Sequence, residues 1–99
     1  MPSICRNYDL GATGHGCTAV IGVKTTQSTV FANSIPIARR GDPTRPHVIK
    51  KGRICVGHSA RVNASSRTVF ARGIGVARIG DSYDKGRMIR GSRNVFAGG

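Results

Sequence analysis

An all-β fold is predicted: a closed ring with pseudo-three-fold symmetry, built from three β-hairpin repeats and closed by pairing of the N- and C-terminal strands. Three observations predict it. A strand signature followed at a fixed interval by an arginine and an aspartate recurs along the chain. The apolar residues come mostly as short β-branched runs, such as Val20 to Val23 and Ile35 to Ile37, and no window sustains a helical period. The third copy of the signature is divided between the two ends of the sequence, so the repeats close only as a ring.

The first repeat core, 30–42, runs from Val30-Phe31-Ala32 to Ile37-Ala38-Arg39-Arg40-Gly41-Asp42, and the second, 69–81, from Val69-Phe70-Ala71 to Val76-Ala77-Arg78-Ile79-Gly80-Asp81. The split copy joins 95–99, Val95-Phe96-Ala97-Gly98-Gly99, to 3–9, which holds Ile4-Cys5-Arg6-Asn7-Tyr8-Asp9. Within a copy the two apolar segments read as a hairpin with its tip at Asn33-Ser34 or Arg72-Gly73. The three phenylalanines sit at equivalent positions and are expected in the core. Cys5 occupies the place of Ala38 and Ala77, which predicts a small buried side chain. Asp9, Asp42 and Asp81 each follow a repeat arginine by three residues, the setting of a structural aspartate that accepts backbone N–H groups in a turn. If the strand of Val95 and Phe96 pairs with that of Ile4 and Arg6, the ring closes and two open sheet edges disappear.

Between the repeats lie linkers 10–29, 43–68 and 82–94. Each leaves from an equivalent strand end, so all three should converge on one side of the hairpin layer. The first two carry all three histidines: His15, His47 and His58. The third carries Asp84, the one carboxylate outside the repeats. An odd number of cysteines without a secretory signal argues against a disulfide framework.

With 99 residues, fourteen glycines and five aromatics, the chain reads as a single domain, 1–99, with a thin core of the kind that leans on a metal, a cross-link or a partner. Neither a membrane-spanning apolar run nor a signal-peptide pattern is present. The net charge of +12 would attract phosphate groups on nucleic acid or on a lipid surface.

The residues Ile35-Pro36-Ile37-Ala38-Arg39-Arg40-Gly41-Asp42 and Gly75-Val76-Ala77-Arg78-Ile79-Gly80-Asp81, with Thr-Val-Phe-Ala before each, resemble the proline-alanine-alanine-arginine (PAAR) repeat proteins, which cap the spikes of contractile phage tails and type VI secretion systems. Asn94-Val95-Phe96-Ala97-Gly98-Gly99, Gly14-His15-Gly16-Cys17 and His47 extend the resemblance over nearly the whole chain. It implies a cone with a flat base docked on a trimeric β-helical spike and one structural ion near the vertex. The family's three histidine ligands and one cysteine carry over as His15, His47 and His58, but the cysteine has no clear counterpart. Counting back from Val95 by the eleven residues that separate Val69 from His58 gives Asp84. Cys55 is the alternative fourth ligand, since Cys-x-x-His is a common ligand spacing; Cys17 ranks last, because His-x-Cys is short for both side chains to reach one ion. Three imidazoles suit zinc, with iron possible.

The expected role is therefore a metal-stapled tip, not an enzyme, acting by transmitted force as a virion tail component or a type VI secretion spike exported by contraction. Its expected partners are a trimeric β-helical spike, of the phage central-spike or valine-glycine-repeat type, which one monomer would cap, and transiently the target outer membrane; nucleic acid is not expected. Asn33, Ser34, Arg72, Gly73, Gly98 and Gly99 are candidate docking contacts, and no attached effector is expected. The alternative is a small basic β-barrel that binds nucleic acid, with Lys50-Lys51-Gly52-Arg53 as its phosphate patch.

Overall fold

At the centre of the molecule three backbone hydrogen bonds run in a cycle. The N–H of Cys5 donates to the carbonyl of Ala77, that of Ala77 to Ala38, and that of Ala38 to Cys5, each at 2.9 Å. All three residues are fully buried. Small side chains are required there because three strands meet at one axis and leave no room for more. Around this cycle the antiparallel bridges Arg6↔Ile37, Arg39↔Val76 and Arg78↔Ile4 join each repeat to the next. The computed structural model, which describes residues 1–99, is thus an all-β fold organised about a pseudo-three-fold axis.

In chain order the strands are β1 (Leu10–Ala12), β2 (Val20–Gly22), β3 (Phe31–Ala32), β4 (Ile35–Pro36), β5 (His47–Lys51), β6 (Ile54–His58), β7 (Phe70–Ala71), β8 (Ile74–Gly75), β9 (Ser82–Tyr83) and β10 (Gly86–Met88). Two repeat cores form the hairpins β3–β4 and β7–β8, with tips at the expected residues. Asn33, Ser34, Arg72 and Gly73 all have positive φ, between 51° and 80°, as a two-residue turn matched to strand twist requires. The split copy closes through the Ser3↔Phe96 bridge, with Ile4 N–H on Val95 O at 2.9 Å and Ala97 N–H on Pro2 O at 3.0 Å.

The repeat polar residues do equivalent work in each copy. The N–H groups of Arg6, Arg39 and Arg78 donate to Oδ2 of Asp9, Asp42 and Asp81 at 2.7–2.8 Å. One oxygen also caps the turn before each Val-Phe pair: Ser66 Oγ accepts from Thr68 and Val69, Ser92 Oγ from Asn94 and Val95, and Gln27 Oε1 from Thr29 and Val30. Glutamine thus replaces serine with a longer reach and the same acceptor. The symmetry breaks at Arg39. Arg6 and Arg78 pair with their aspartates, but the Arg39 guanidinium donates to Thr26 Oγ1 and Ala71 O, and its Nε is buried without a partner.

One sequence expectation is corrected. Phe31, Phe70 and Phe96 are not core residues; they are 51%, 57% and 46% exposed. Strand alternation explains this: Val30, Val69 and Val95 face the apolar cluster of Ile4, Ala32, Ile37, Ala71, Val76 and Ala97, so the phenylalanine between each valine and alanine faces out. The linkers carry strands of their own. They form the hairpin β5–β6 and the four-stranded sheet β2-β1-β10-β9, which pairs strands from the first and third linkers. Between this sheet and the ring lies a second apolar cluster of Cys5, Val23, Ala38, Val62, Ala77, Tyr83 and Met88. The molecule measures 41 × 23 × 21 Å.

Candidate metal centre

His15, His47, His58 and Asp84 come from three linkers and meet beyond the second cluster, their ligand atoms all within 4.8 Å of one another. His15 lies in the β1–β2 loop, which Thr13 holds shut: its fully buried hydroxyl donates to the carbonyls of Thr18 and Ala19. His47 opens β5 and His58 ends β6, directly opposite each other in register. Asp84 sits in the β9–β10 turn with φ 55°, its N–H on Arg61 O at 3.2 Å and its carbonyl accepting from Asn63 Nδ2 at 3.1 Å. The loop and the turn touch backbone to backbone. A Cβ at Gly14 would lie 2.3 Å from Lys85 O, and one at Gly86 2.1 Å from Ala12 O, so only glycine permits the approach.

The donor geometry is that of ligands around a common centre. Nε2 of His15 and of His47 lie 2.9 and 3.0 Å from Asp84 Oδ2, and Nε2 of His58 lies 3.2 Å from Oδ1. The two nitrogens of His15 and His47 are only 3.2 Å apart. Ligands on tetrahedral zinc at Zn–N distances near 2.0 Å are separated by roughly 3.3 Å. The imidazole side chains of His15 and His47 and the Asp84 carboxylate are almost wholly buried, and His58 is the most accessible at 23%.

The outer nitrogens fix what the inner ones present. His15 Nδ1 faces Gly16 O at 3.0 Å and His47 Nδ1 faces Arg45 O at 2.8 Å, so each Nδ1 carries the proton and donates. In the neutral rings Nε2 then carries a lone pair aimed at the other nitrogen and at a carboxylate oxygen. Lone pairs gathered this closely repel unless a cation sits among them, and backbone carbonyls on the distal nitrogens are the usual support of metal-binding histidines. In the ion-free site, where the histidine Nε2 atoms can instead carry protons, burial pushes the Asp84 carboxyl up but hydrogen bonding from His58, His15 and His47 outweighs it and holds the group below the usual carboxylate range. It is thus kept as an anion, the form that ligates. The donor set fits a borderline divalent ion in a closed site.

Neither cysteine joins the cluster. Cys17 and Cys55 are bonded to each other, with Cα atoms 6.0 Å apart, which corrects the expectation that the chain has no disulfide and removes Cys55 as fourth ligand. The reason is topological: Cys17 bridges to Ile49 on the outer edge of β5, and Cys55 lies opposite Lys50 on β6, so the hairpin delivers Cys55 to the loop. Cys5 is free and buried, and burial pushes its thiol well above the usual range. Thr13 and Asn63 support the site, but no sequence signal marks them; Gly14 was visible as part of Gly14-His15-Gly16.

Fold and site together define a small all-β domain with a clustered His3Asp site capable of coordinating a metal ion, consistent with a metal-binding, spike-tip-like fold. None of the family models or curated proteins compared with this sequence matches it.

Proposed function

We propose that the chain is a PAAR-type tip, stapled by one zinc ion, that caps a trimeric β-helical spike of a contractile injection machine and helps pierce the target envelope. The observation that carries this reading is the ring. One chain presents three equivalent exposed phenylalanines, Phe31, Phe70 and Phe96, around a pseudo-three-fold axis. A lone asymmetric domain cannot satisfy three identical surfaces at once, whereas this ring can sit coaxially on them.

Zinc is favoured over iron by the closed, buried character of the four donors. The role is mechanical in this reading. Asp84 and the histidines serve as ligands, and Asp9, Asp42 and Asp81 are occupied by backbone N–H groups, which leaves no carboxylate as general base. The setting is a virion tail baseplate or a type VI secretion spike.

One observation favours the nucleic-acid alternative. The exposed phenylalanines are available for base stacking, with Arg72 close in sequence to Phe70. Their three-fold equivalence favours the trimer, since a single strand has no such symmetry. Native mass measurement of the chain mixed with the trimeric spike of its own machine tests both. One chain per trimer is expected, with binding lost in Phe70→Glu with Phe96→Glu. Three chains per trimer, or no complex beside tight oligonucleotide binding, would reject the cap.

A further inference from the structure

The β5–β6 hairpin is the part of the molecule least explained by its own fold. It spans five residues in each strand, yet none of its residues belongs to either apolar cluster. Its open end is fixed by His47 and His58 and the edge of β5, as far as Lys50, by the backbone of Gly16, Cys17 and Thr18; the turn beyond projects. Ile54, next to the Gly52-Arg53 turn, lies four residues from His58, which places the turn about 13 Å from the metal cluster at the usual rise per residue.

What projects is both cationic and aliphatic. Lys50, Lys51 and Arg53 are exposed, and none of their side chains makes a hydrogen bond or ion pair. Nor is there a carboxylate to spare for them: Asp9 and Asp81 pair with arginines, Asp42 binds Thr26 and the Arg39 N–H, and Asp84 faces the histidines. Ile54 is 64% exposed and Val48 38%. By register, Lys51↔Ile54 and Ile49↔Val56 lie on the same face of the hairpin, so an aliphatic stripe of Ile49, Val56 and Ile54 runs out to the basic turn.

We infer that this hairpin is a docking surface for an anionic lipid bilayer, with Lys50, Lys51 and Arg53 at the phosphate layer and Ile54 reaching the acyl boundary. Unpaired cations of this kind attract an acidic leaflet, and an exposed aliphatic side chain beside them gains from leaving water. Nucleic acid would use the charges but not Ile54, and the projecting part of the hairpin carries no aromatic side chain for stacking, since His47 and His58 are turned to the cluster. The metal and the disulfide acquire a second purpose here: they hold a hairpin that has no core of its own at a fixed angle to the body.

This contact rests on the spike-tip reading only for its biological target. Vesicle binding is measured on the full chain without a spike, so its failure and the failure of trimer docking are separate results. The experiment is flotation with phosphatidylglycerol–phosphatidylcholine vesicles and with pure phosphatidylcholine vesicles, at low and high salt, with metal content followed throughout. Binding to the anionic vesicles that weakens in salt is expected. The combined Lys50→Glu, Lys51→Glu and Arg53→Glu variant should lose roughly 100-fold in affinity or more. A charge-matched control, Arg40→Glu, Arg67→Glu and Arg93→Glu, should lose less than about a tenth as much, because those cations lie off the hairpin. Ile54→Ser should lose about 10-fold without changing the net charge. Equal losses in the two triple variants, equal binding to neutral vesicles, no binding at all, or tighter binding to a single-stranded oligonucleotide than to anionic vesicles would each overturn the inference.

Discussion

In the repeat ring nearly every buried position has two counterparts a third of a turn away, such as Cys5, Ala38 and Ala77 at the axis, whereas the β5–β6 hairpin has no place in either apolar cluster. The ring is held by what holds most folds: small side chains packed around backbone hydrogen bonds, with an aspartate capping each turn. The hairpin and the loops around it are held by a ligand set and a cross-link. A chain this small has too little apolar surface to bury at both ends, and coordination substitutes for a core where the linkers meet. The difference is thus a division between stability that is spread over many contacts and stability concentrated in a few bonds.

Removing the metal should give the largest effect and the sharpest separation of the two regions. Chelation of the loaded protein is expected to lower Tm by roughly 20 °C or more, given the size of structural zinc contributions and the response of small domains. Hydrogen exchange should accelerate in 47–58 while the amides of Cys5, Ala38 and Ala77 stay protected. Uniform acceleration over the whole chain would show that the ring also depends on the ion. The converse test is Ala77→Leu, which forces extra volume onto the axis and should cost about 3 kcal/mol in denaturant unfolding without changing metal stoichiometry.

The disulfide tests whether the metal and the cross-link restrain the same segment. His15 and His58 bracket Cys17 and Cys55, so each closes nearly the same loop. With a sequence separation of 38, losing the cross-link should cost about 4 kcal/mol when it alone closes the loop. Cys17→Ser with Cys55→Ser should therefore cost several kcal/mol in chelator but only about 1 kcal/mol with metal bound. Equal costs in both conditions would mean that the two restraints act independently. The smallest expected effect is at the ring's surface: Arg6→Ala removes a partly exposed pair with Asp9 and should cost about 1 kcal/mol or less. Cys5, buried and with its thiol pushed up, should resist alkylation by iodoacetamide until the chain unfolds.

The repeat region was legible because its constraints are local and repeated. The offsets from Val-Phe to arginine to aspartate place the hairpins, the turns and the closure of the split copy, and one register count leads from Val95 to Asp84. Legibility ended where contacts depend on the linkers' own folding. β5 and β6 lack clean alternation, since Val48 and Ile54 are exposed on a hairpin with little to pack against, so the pairing that sets His47 opposite His58 left no pattern. The Cys17–Cys55 bond depends on that same pairing and was hidden with it. The phenylalanines were misplaced for a different reason: hydrophobicity points inward, but the valine and alanine on either side already face the apolar cluster. The substitution of Gln27 for serine as the turn cap likewise becomes visible only when Oε1 is seen at the place of Oγ.

The central claim is that the three linkers are held together by an ion bound to His15, His47, His58 and Asp84, and elemental analysis of the purified chain tests it most directly. One equivalent of zinc per chain is expected, lost in Asp84→Ala and retained in Cys17→Ser with Cys55→Ser. A folded, metal-free protein whose Tm does not move in chelator, or a metal that leaves with the cysteines and stays with Asp84→Ala, would contradict it.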